Sequence, residues 1–542
     1  MRAALPRTLP GDSALASGPV LARGDGSGGV RLVELVAALS LATDLGLGLP
    51  QEHVLRQTTI AARLAALAGL SDAQQVAVYY TSLLAWVGCV SDSHELAKWF
   101  GDEAHLRAAS YQVDKKGLPM MTFMVGHVGD GSPPVRRLTT IARFLSGGSR
   151  EAGASLLTHC QTAGLLAARL GLGDTVGVAL SQAFERWDGK GVPGRCAGHD
   201  IDPVMRAVQI ADDAEVFVRL GGIGAAVGML RSRRGTEFDP TMVDLVTRHA
   251  NDVLGNLEQD AWDETMRASD GAERSLDEPE LTRVLTAFAD YADLKSASWT
   301  GHSRGVARLA AGAAQLLGLP EEERILVERA ALVHDIGALG VSTGIWDKAG
   351  TWSAAERERV RIHPYLTERV LARPPQLAAI GGVASLHHER LDGSGYPRGL
   401  SGSGIPMTAR IVAAADVFHA LGEDRPHRGA LPPKECESVL RAECRAGRLD
   451  GDAVLAVLAA AGREVRRRPA LPAGLTTREV EVLDRLVRGR SNKQIARDLG
   501  ISPRTVGTHV EHIYVKIGVS TRGAAALYAM SHGLVGPALN GE

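Results

Sequence analysis

Hydrophobic residues in this 542-residue chain recur mainly at spacings of three and four positions. The spacing is clear in segments 62–70 (ARLAALAGL) and 309–319 (LAAGAAQLLGL), each of which ends at a Gly-Leu pair. This period is typical of amphipathic helices, which often end at a glycine. The sequence shows no series of alternating segments at hairpin spacing. The pattern therefore predicts an all-α fold.

The chain contains an internal duplication. Residues 39–88 align without a gap with residues 288–337, at an offset of 249 positions. FERWDGKGVPG, from Phe184, aligns with HERLDGSGYPR, from His388, at an offset of 204. The difference, 249 − 204 = 45, places about 45 additional residues in the first copy, between Cys89 and His159. Shared Gly, Pro, His and Asp positions argue against chance similarity between Ala/Leu-rich helices.

The two copies and the composition around them suggest a division of the chain into segments. An acidic stretch, a candidate linker or helical connector, follows the first copy. A basic stretch with two prolines, typical of an exposed hinge, follows the second. The predicted segments are a flexible N-terminus at 1–30, a first helical domain at 31–256, a linker at 257–280, a second helical domain at 281–461, a linker at 462–474 and a C-terminal domain at 475–538.

Charge and cysteine content narrow the class of protein. The formal net charge is −2, so any surface that binds nucleic acid must be local. The five cysteines lack CxxC spacing, which argues against a zinc ribbon or a disulfide framework and favours a reducing cytoplasm. No segment approaches the roughly 18 apolar residues of a membrane span, and the N-terminus lacks the apolar core of a signal peptide. We expect a cytoplasmic protein without a membrane partner.

The second copy concentrates histidine and aspartate. His334 and Asp335 follow the apolar run AALV, and two ionisable groups at a buried helix end are costly unless they are paired or bind metal. Neutral imidazole together with carboxylate suits Fe, Mn or Zn ions. Any one of these histidines could be an ordinary core or surface residue. The whole set in one domain indicates a metal site: His302, His334, Asp335, His363, His387, His388 and Asp416.

Several motifs in this region resemble the HD-GYP branch of the HD phosphohydrolases. They are HDIGALGV, HHERLDGSGYPRGL, IPMTARIVAAAD and RPHR, within residues 281–461. The resemblance implies an all-helical domain that holds two divalent transition metal ions, Fe or Mn, and hydrolyses cyclic di-GMP. It implies that the seven residues above are metal ligands, that Asp335 bridges the ions, and that His334 and Asp335 are catalytic. It also implies a substrate site formed by Gly395, Tyr396, Pro397, Arg425 and Arg428.

Simple chemistry is consistent with these substrate roles. The ring of Tyr396 could stack on a base, and the guanidinium groups of Arg425 and Arg428 match phosphate geometry. The alternative for the two arginines is that they are ordinary exposed charges.

Four positions depart from the family pattern. Ala338 stands where a lysine usually contacts the scissile phosphate, and Ser298 replaces a glutamate of trinuclear members, which favours two ions. His419 and His427 replace a common Asp and a common Tyr. Two hypotheses therefore stay open, a phosphodiesterase and a switch that binds metal and nucleotide but turns over poorly. Hydrolysis of another phosphorylated nucleotide is a third.

The first copy keeps only part of the ligand set. His53, His159 and Asp212 align with ligands, but the HD pair becomes Ala85-Trp86 and the HH pair becomes Ala183-Phe184. Apolar side chains at four of seven positions cannot hold a binuclear centre. We expect a sensory or dimerising role for this copy, or a structural remnant that packs against the second.

The C-terminal segment predicts a helix-turn-helix. Thr476 with Glu479 and Ser491 with Gln494 form capping boxes, and Ser502-Pro503 opens a third helix. The motifs LTTREVEVL, SNKQIARDLGIS and KIGVSTR resemble the four-helix LuxR-type (GerE-like) DNA-binding domain. The resemblance implies a transcriptional regulator that binds double-stranded DNA as a dimer. By it, the residues nearest DNA are Lys493, Arg504, Thr505, Thr508, His509, Lys516 and Arg522. Gly507 stands where a lysine is common.

Overall fold

The computed structural model describes residues 30–463, apart from 115–116, 131–132, 258–259 and 270, and residues 472–534, apart from 533. Regular structure in these ranges is almost entirely helical, as the hydrophobic period predicts, with one two-stranded antiparallel sheet. The chain forms two compact units, residues 1–463 and residues 464–542. Both helical copies belong to the first unit. The expected flexible N-terminus, and most of the second linker, lie outside the described residues.

The first copy opens with strand β1 (Val30–Arg31) and is otherwise helical. Its helices are α1 (Leu32–Leu47), α2 (His53–Leu67), α3 (Asp72–Leu84), α4 (Ser93–Phe100), α5 (Glu103–Ser110), α6 (Gly117–His127), α7 (Pro134–Arg143), α8 (Ser149–Arg169), α9 (Asp174–Ser181), α10 (Pro203–Arg233), α11 (Pro240–Arg248) and α12 (Ala250–Leu254). Helices α4 to α7 belong to the additional segment that the two offsets revealed.

The stretch expected to be an acidic linker has structure of its own. It contains α13 (Ala261–Arg267) and strand β2 (Ser275–Leu276), which pairs with β1. Asp260 caps α13 by accepting from two backbone N–H groups, and Trp262 is buried. Cap geometry and the burial of one tryptophan therefore give the segment a helix, in keeping with a helical connector.

The second copy is a bundle of ten helices among the described residues. They are α14 (Glu278–Asp293), α15 (His302–Leu316), α16 (Glu321–Val333), α17 (Thr343–Trp346), α18 (Ala354–Arg361), α19 (His363–Leu371), α20 (Pro375–Ala384), α21 (Met407–Leu421), α22 (Pro433–Arg445) and α23 (Gly451–Ala460).

The C-terminal unit has four helices, α24 (Thr477–Val487), α25 (Asn492–Leu499), α26 (Pro503–Ile517) and α27 (Arg522–Ser531). Both predicted capping boxes are present, and the Ser502 side chain accepts from the backbone N–H of Thr505. Val506 and Ile513 of α26 are fully buried in the core of this unit. The four-helix fold predicted for this unit is confirmed.

Equivalent glycines make the same close contacts in both copies. A Cβ at Gly88 would overlap the carbonyl oxygen of His159, and a Cβ at Gly337 would overlap that of His363. These four residues correspond in the two alignments, so both copies retain the same backbone approach. The backbone therefore supports the duplication even at positions where the side chains of the two copies differ.

The additional segment of the first copy packs against the second. The carboxylate of Glu103, in α5, lies 3.0 Å from the ammonium of Lys295 and accepts from the Ser342 hydroxyl at 2.7 Å and the Thr343 backbone N–H at 2.8 Å. The side chains of Glu103 and Lys295 are 0% and 2% exposed. One buried carboxylate therefore fixes the start of α17 to the first copy.

Replacing Glu103 with glutamine would leave the Lys295 ammonium buried without its counter-charge. We expect the free energy of unfolding at pH 7 to fall by about 3–5 kcal/mol, measured by urea denaturation. Arg359→Gln is the matched control, because it removes an exposed pair with Asp102 across the same interface. That change should cost less than about 1 kcal/mol. Equal small losses in both variants would contradict the role given to Glu103.

The Glu103 effect should also depend on pH. Burial by itself would raise the pKa of Glu103, but Lys295 and the hydrogen bonds outweigh it and lower the pKa from about 4.5 to about 2. The carboxylate therefore stabilises the fold fully above about pH 4.5. Its contribution should shrink as the pH falls toward 2, so the difference between wild type and Glu103→Gln should shrink there too.

Candidate functional site

The seven predicted ligands of the second copy come together at the ends of four helices and within a fifth. His302 and His363 are the first residues of α15 and α19, and His334 directly follows α16. The adjacent His387 and His388 lie just beyond α20, and Asp416 lies within α21. Helix ends from distant parts of the sequence thus deliver imidazole and carboxylate groups to one place.

Asp335 lies at the centre of the cluster. Its Oδ1 atom is 3.3 Å from Nε2 of His363 and 3.4 Å from Nε2 of His387. Its Oδ2 atom is 3.4 Å from Nε2 of His334 and 3.9 Å from Nε2 of His302. Each carboxylate oxygen therefore faces a different pair of histidines. This is the arrangement that a carboxylate bridging two ions requires.

Asp416 forms a second carboxylate wall. Its Oδ1 atom lies 3.4 Å from Nε2 of His302, and its Oδ2 atom lies 4.0 Å from Nδ1 of His388. Three groups of side chains among the described residues place ligand atoms within 4.8 Å of one another. They are His302, His334 and Asp335; His363, His387 and His388; and His302, His419 and Glu423.

Hydrogen bonds fix the tautomer of three histidines. The Nδ1 atoms of His334, His363 and His387 lie 2.8, 2.6 and 2.7 Å from the backbone carbonyl three residues earlier. A carbonyl only accepts, so each Nδ1 carries the proton and each Nε2 presents a lone pair to the cluster.

The inward-facing lone pairs need a cation. Nε2 of His363 and Nε2 of His387 are only 3.1 Å apart, and Nε2 of His334 is buried without a hydrogen-bond partner in the described structure. Neutral imidazole and carboxylate are the donors that transition metals prefer. The residues present therefore fit a pair of divalent ions.

The pKa values of the cluster are consistent with this fit. Burial lowers the pKa of His387, and burial together with His387 lowers that of His388, so both stay neutral. Burial would also lower the pKa of His302, but Asp416 and Glu423 outweigh it and raise the pKa to about 10. Carboxylates that attract a proton to His302 also attract a metal ion, which would compete with that proton.

Glu423 is a site residue that the sequence analysis missed. Its Oε2 atom lies 3.0 Å from Nδ1 of His302 and 2.6 Å from the guanidinium of Arg425. A carboxylate in this position orients the imidazole and directs its Nε2 atom toward Asp335 and Asp416. Glu423 lies seven positions after Asp416 and beyond the end of α21, and nothing in the sequence pattern linked it to the site.

A cavity of about 340 Å³ opens onto the cluster. Its walls include five of the predicted ligands, three tryptophans and the predicted substrate residues Tyr396, Arg425 and Arg428. The Tyr396 ring lies 4.7 Å from the ring of His388. A pocket of this size lies within the usual range for a small ligand.

The loop that carries Tyr396 is held by a buried glutamate. Glu389 accepts from the backbone N–H groups of Arg398 at 2.7 Å and Leu400 at 2.9 Å. A Cβ at Gly395 would overlap the backbone of Glu389 and Arg390, so the loop passes too close for a larger residue. Pro397 follows Tyr396 within this loop. The predicted substrate loop therefore lies beside the cluster in a defined conformation.

The two predicted phosphate arginines have different surroundings. Arg425 lines the cavity and pairs with Glu423. The Arg428 guanidinium donates to the backbone carbonyls of Ala420, Leu421, Glu423 and Gly429, which commits it to the end of α21. Two positions that depart from the family pattern also lie here. Ala338 is buried, and its backbone carbonyl accepts a hydrogen bond from the indole N–H of Trp346. His427 lines the cavity.

In the first copy, aromatic side chains occupy the equivalent position. Trp86, which aligns with Asp335, packs at 6.1 Å from the His159 ring and 6.0 Å from the Phe184 ring. The indole N–H of Trp86 donates to Gln57 at 3.0 Å. Burial lowers the pKa of His159 to about 4, and its Nε2 lies 2.7 Å from the carbonyl of Ala85. These contacts leave His159 neutral within an apolar core.

The retained His53 lies between two carboxylates, as His302 does, but without the donors of the HD and HH pairs. Its Nε2 lies 3.1 Å from Asp212 and its Nδ1 lies 2.5 Å from Glu215, while the Tyr111 hydroxyl donates to Asp212 at 3.1 Å. Burial would lower the pKa of His53, but the two carboxylates outweigh it and raise the pKa to about 10. Both ring nitrogens are therefore already bound to acids. The region around His53 is therefore a buried cluster of ionic hydrogen bonds.

In the C-terminal unit, helix α26 presents a polar surface. Arg504, Thr505 and Thr508 are exposed and His509 is half-buried, and Lys493 is exposed on α25. Lys516 donates to Glu479 and Gly474, and Arg522 donates to the carbonyl of Arg490. Four of the seven predicted DNA contacts thus lie together at the start of α26. Lys516 and Arg522 also make contacts within the domain.

Comparison with known proteins gives two family matches. The model for the HD domain matches residues 286–453, and the model for bacterial regulatory proteins of the LuxR family matches residues 473–529. The chain is 31% identical, over 408 residues, to 3′3′-cGAMP-specific phosphodiesterase 3 of Vibrio cholerae, covering 74% of this chain and 88% of that protein. The chain belongs to the HD-GYP family of cyclic-nucleotide phosphodiesterases.

Two further comparisons agree with this membership. The cyclic di-GMP phosphodiesterase response regulator RpfG of Xanthomonas campestris is 38% identical over 152 residues, 28% of this HD-GYP chain and 39% of that protein. A crystal structure of the V. cholerae phosphodiesterase V-cGAP3 superposes with a TM-score of 0.56 at 27% identity. It covers 81% of this chain and 99% of the other, so the similarity extends over both copies.

This HD-GYP chain therefore joins a phosphodiesterase-family region to a LuxR-type DNA-binding domain. The two family resemblances read from the motifs are confirmed. Within the described residues, none of the helices is both long enough and apolar enough to span a bilayer.

Proposed function

We propose that the second copy is a binuclear metal phosphodiesterase that hydrolyses a 3′3′-linked cyclic dinucleotide. The observation that carries this proposal is Asp335, whose two oxygens face separate pairs of histidine Nε2 atoms at 3.3–3.9 Å. Two ions in such a site would polarise the phosphodiester and supply a nucleophile by lowering the pKa of bound water. Fe and Mn are the ions that this mixed imidazole and carboxylate set suits best.

Each residue around the ions has a definite task in this proposal. His302, His334, His363, His387, His388, Asp335 and Asp416 would hold the ions. Glu423 holds His302 in the tautomer that leaves Nε2 free for an ion. Arg425 lines the cavity beside Glu423 and is the cation available to a phosphate. Tyr396, in the Gly395–Pro397 loop, offers a ring surface to a base.

The proposed substrate is defined by its 3′,5′-phosphodiester linkage and not by its bases. Relatives named for cyclic di-GMP and for 3′3′-cGAMP both match, and the alignment that spans both copies is to a 3′3′-cGAMP-specific enzyme. Both nucleotides carry the same 3′,5′-phosphodiester, and they differ in one purine base. Cyclic di-GMP and 3′3′-cGAMP are therefore the two candidate substrates.

One observation favours a second function, a ligand-controlled switch: a buried alanine, Ala338, stands where the family usually has a lysine. A buried alanine cannot neutralise charge on a scissile phosphate, which slows turnover without weakening the metal ligands. In that case the second copy would bind metal and nucleotide and act chiefly as a ligand-controlled switch for DNA binding.

Hydrolysis separates the two functions. The purified full-length chain, loaded with Mn²⁺ or Fe²⁺, should convert cyclic di-GMP or 3′3′-cGAMP to linear product, measured by chromatography. Asp335→Ala should reduce the rate by at least about 100-fold, because it removes the ligand shared by both sides of the cluster. His199→Ala, an exposed histidine of the first copy, is the control and should keep the full rate. Tight binding of either nucleotide without product would support the switch.

We also propose that the C-terminal domain reads duplex DNA through the start of α26, as a homodimer in the cytoplasm. Arg504, Thr505, Thr508 and His509 would contact bases or backbone, and Lys493, Lys516 and Arg522 would contact phosphates. A helix-turn-helix commonly binds two half-sites through a protein dimer, which motivates the homodimer.

Arg504 is the cation of α26 nearest its exposed start, so its loss should weaken DNA binding. We expect Arg504→Ala to lower affinity about 5- to 100-fold for a duplex selected from a random pool by the wild-type chain, measured by gel shift. Arg267→Ala removes one exposed positive charge from the first unit and should leave the affinity within twofold. Equal affinity of both variants would exclude α26 as the reading helix.

A further inference from the structure

The second copy contains an aromatic wall that neither the metal ligands nor the Tyr396 loop explains. Trp299, Trp346 and Trp352 line the cavity beside the histidine–aspartate cluster. They are three of the seven tryptophans in a chain with only 4% aromatic residues. Trp299 is buried, whereas Trp346 and Trp352 are each half-buried. A chain that uses few aromatic residues thus places three of its largest next to the site.

Trp346 links the wall to the cluster. Its ring lies 4.7 Å from that of Trp299, 5.9 Å from that of Trp352 and 5.7 Å from that of the ligand His363, always near perpendicular. In edge-to-face packing, the edge of one ring contacts the face of its neighbour, and these contacts stabilise the position of the Trp346 ring. The wall therefore begins within one ring contact of a metal ligand.

The polar edges of the two half-buried indoles are already satisfied. The Nε1–H group of Trp346 donates to the carbonyl of Ala338 at 3.2 Å, and that of Trp352 donates to the carbonyl of Ile345 at 2.8 Å. These bonds leave neither of these two indole N–H groups for a ligand. Part of both rings packs on Val341, Ile345 and Val360. The ring surface that lines the cavity is aromatic, which suits a flat ring better than a phosphate or a sugar.

The helix that carries Trp346 is anchored from the first copy. Helix α17 starts at Thr343, whose backbone N–H donates to Glu103 at 2.8 Å, and the preceding Ser342 hydroxyl donates to the same carboxylate. At the other end of α17, Asp347 accepts from Ser296 at 2.6 Å and lies 2.8 Å from Nδ1 of His94 in α4. Contacts at both ends therefore hold the wall rigid before any ligand arrives.

Charge next to the wall suits a nucleotide. The guanidinium of Arg425 lies 5.5 Å from the centre of the Trp299 ring, inside the same cavity. A base on the wall would thus bring its phosphate toward Arg425 and the metal cluster. Tyr396 contacts His388 rather than the tryptophans, so it is a separate ring surface.

We propose that Trp346 and Trp352, backed by Trp299, form a nucleobase-stacking subsite that helps to select a nucleotide over other phosphodiesters. The inference rests on the proposed function for the phosphate end of the ligand. It assigns base binding to residues outside the metal ligands and the Tyr396 loop, and it makes Glu103 of the first copy a positioning residue for that subsite.

The test compares a ligand with a base and one without. GMP and inorganic phosphate are titrated by calorimetry into the full-length, Mn²⁺-loaded chain. Trp346→Leu should weaken GMP binding at least tenfold, because base–aromatic stacking is lost, and should leave phosphate binding within twofold. Trp346→Phe keeps a ring and should stay within about threefold of wild type for GMP. Trp187→Leu removes a half-buried tryptophan of the first copy and should change neither.

Three results would overturn the subsite. GMP binding by Trp346→Leu within twofold of wild type would show that the wall does not touch the base. Equal loss of GMP and phosphate would show that the tryptophan only supports the metal cluster. Wild type that binds GMP no more tightly than phosphate would show that no base subsite exists. Absence of cyclic-dinucleotide hydrolysis, with GMP selectivity intact, would instead count against the proposed function alone.

Discussion

The constraint on which the structure depends is electrostatic. Imidazole nitrogens with inward lone pairs surround the two oxygens of one aspartate, Asp335, at the base of a cavity. The protons of three of these imidazoles are committed to backbone carbonyls, so the lone pairs cannot turn away. Donors held in this way repel one another until cations lie between them. Four helix ends, helix α21, the Gly337 contact and the carboxylate of Glu423 all hold them there.

The duplication shows what the same scaffold does without that constraint. In the first copy, the rings of Trp86 and Phe184 occupy the place of the HD and HH side chains. His53 lies between two carboxylates, one of which accepts from a tyrosine hydroxyl. The first copy also carries the additional segment, whose Glu103 accepts a hydrogen bond from the start of α17 in the second. The two copies therefore differ both in their ligand positions and in the segment that joins them.

Local signals in the sequence predicted much of this architecture. Helix periods, capping boxes and the HD and HH pairs are short-range features, so the all-helical fold, the LuxR-type domain and the cluster of seven ligand residues could be predicted. Glu423 and Glu103 could not, because each acts across more than a hundred positions and resembles any surface acid. The burial of Trp262 in the acidic stretch before α14 also depends on packing, which its composition does not report.

The central claim is that Asp335 lies between two metal ions in the second copy and that the first copy holds none. Anomalous X-ray diffraction from crystals of the full-length chain grown with Mn²⁺ or Fe²⁺ tests it most directly. The account predicts two peaks about 3.5–4 Å apart, flanking the Asp335 carboxylate, and no peak near His53. An empty Asp335 site under saturating metal, or a peak at His53, would contradict it.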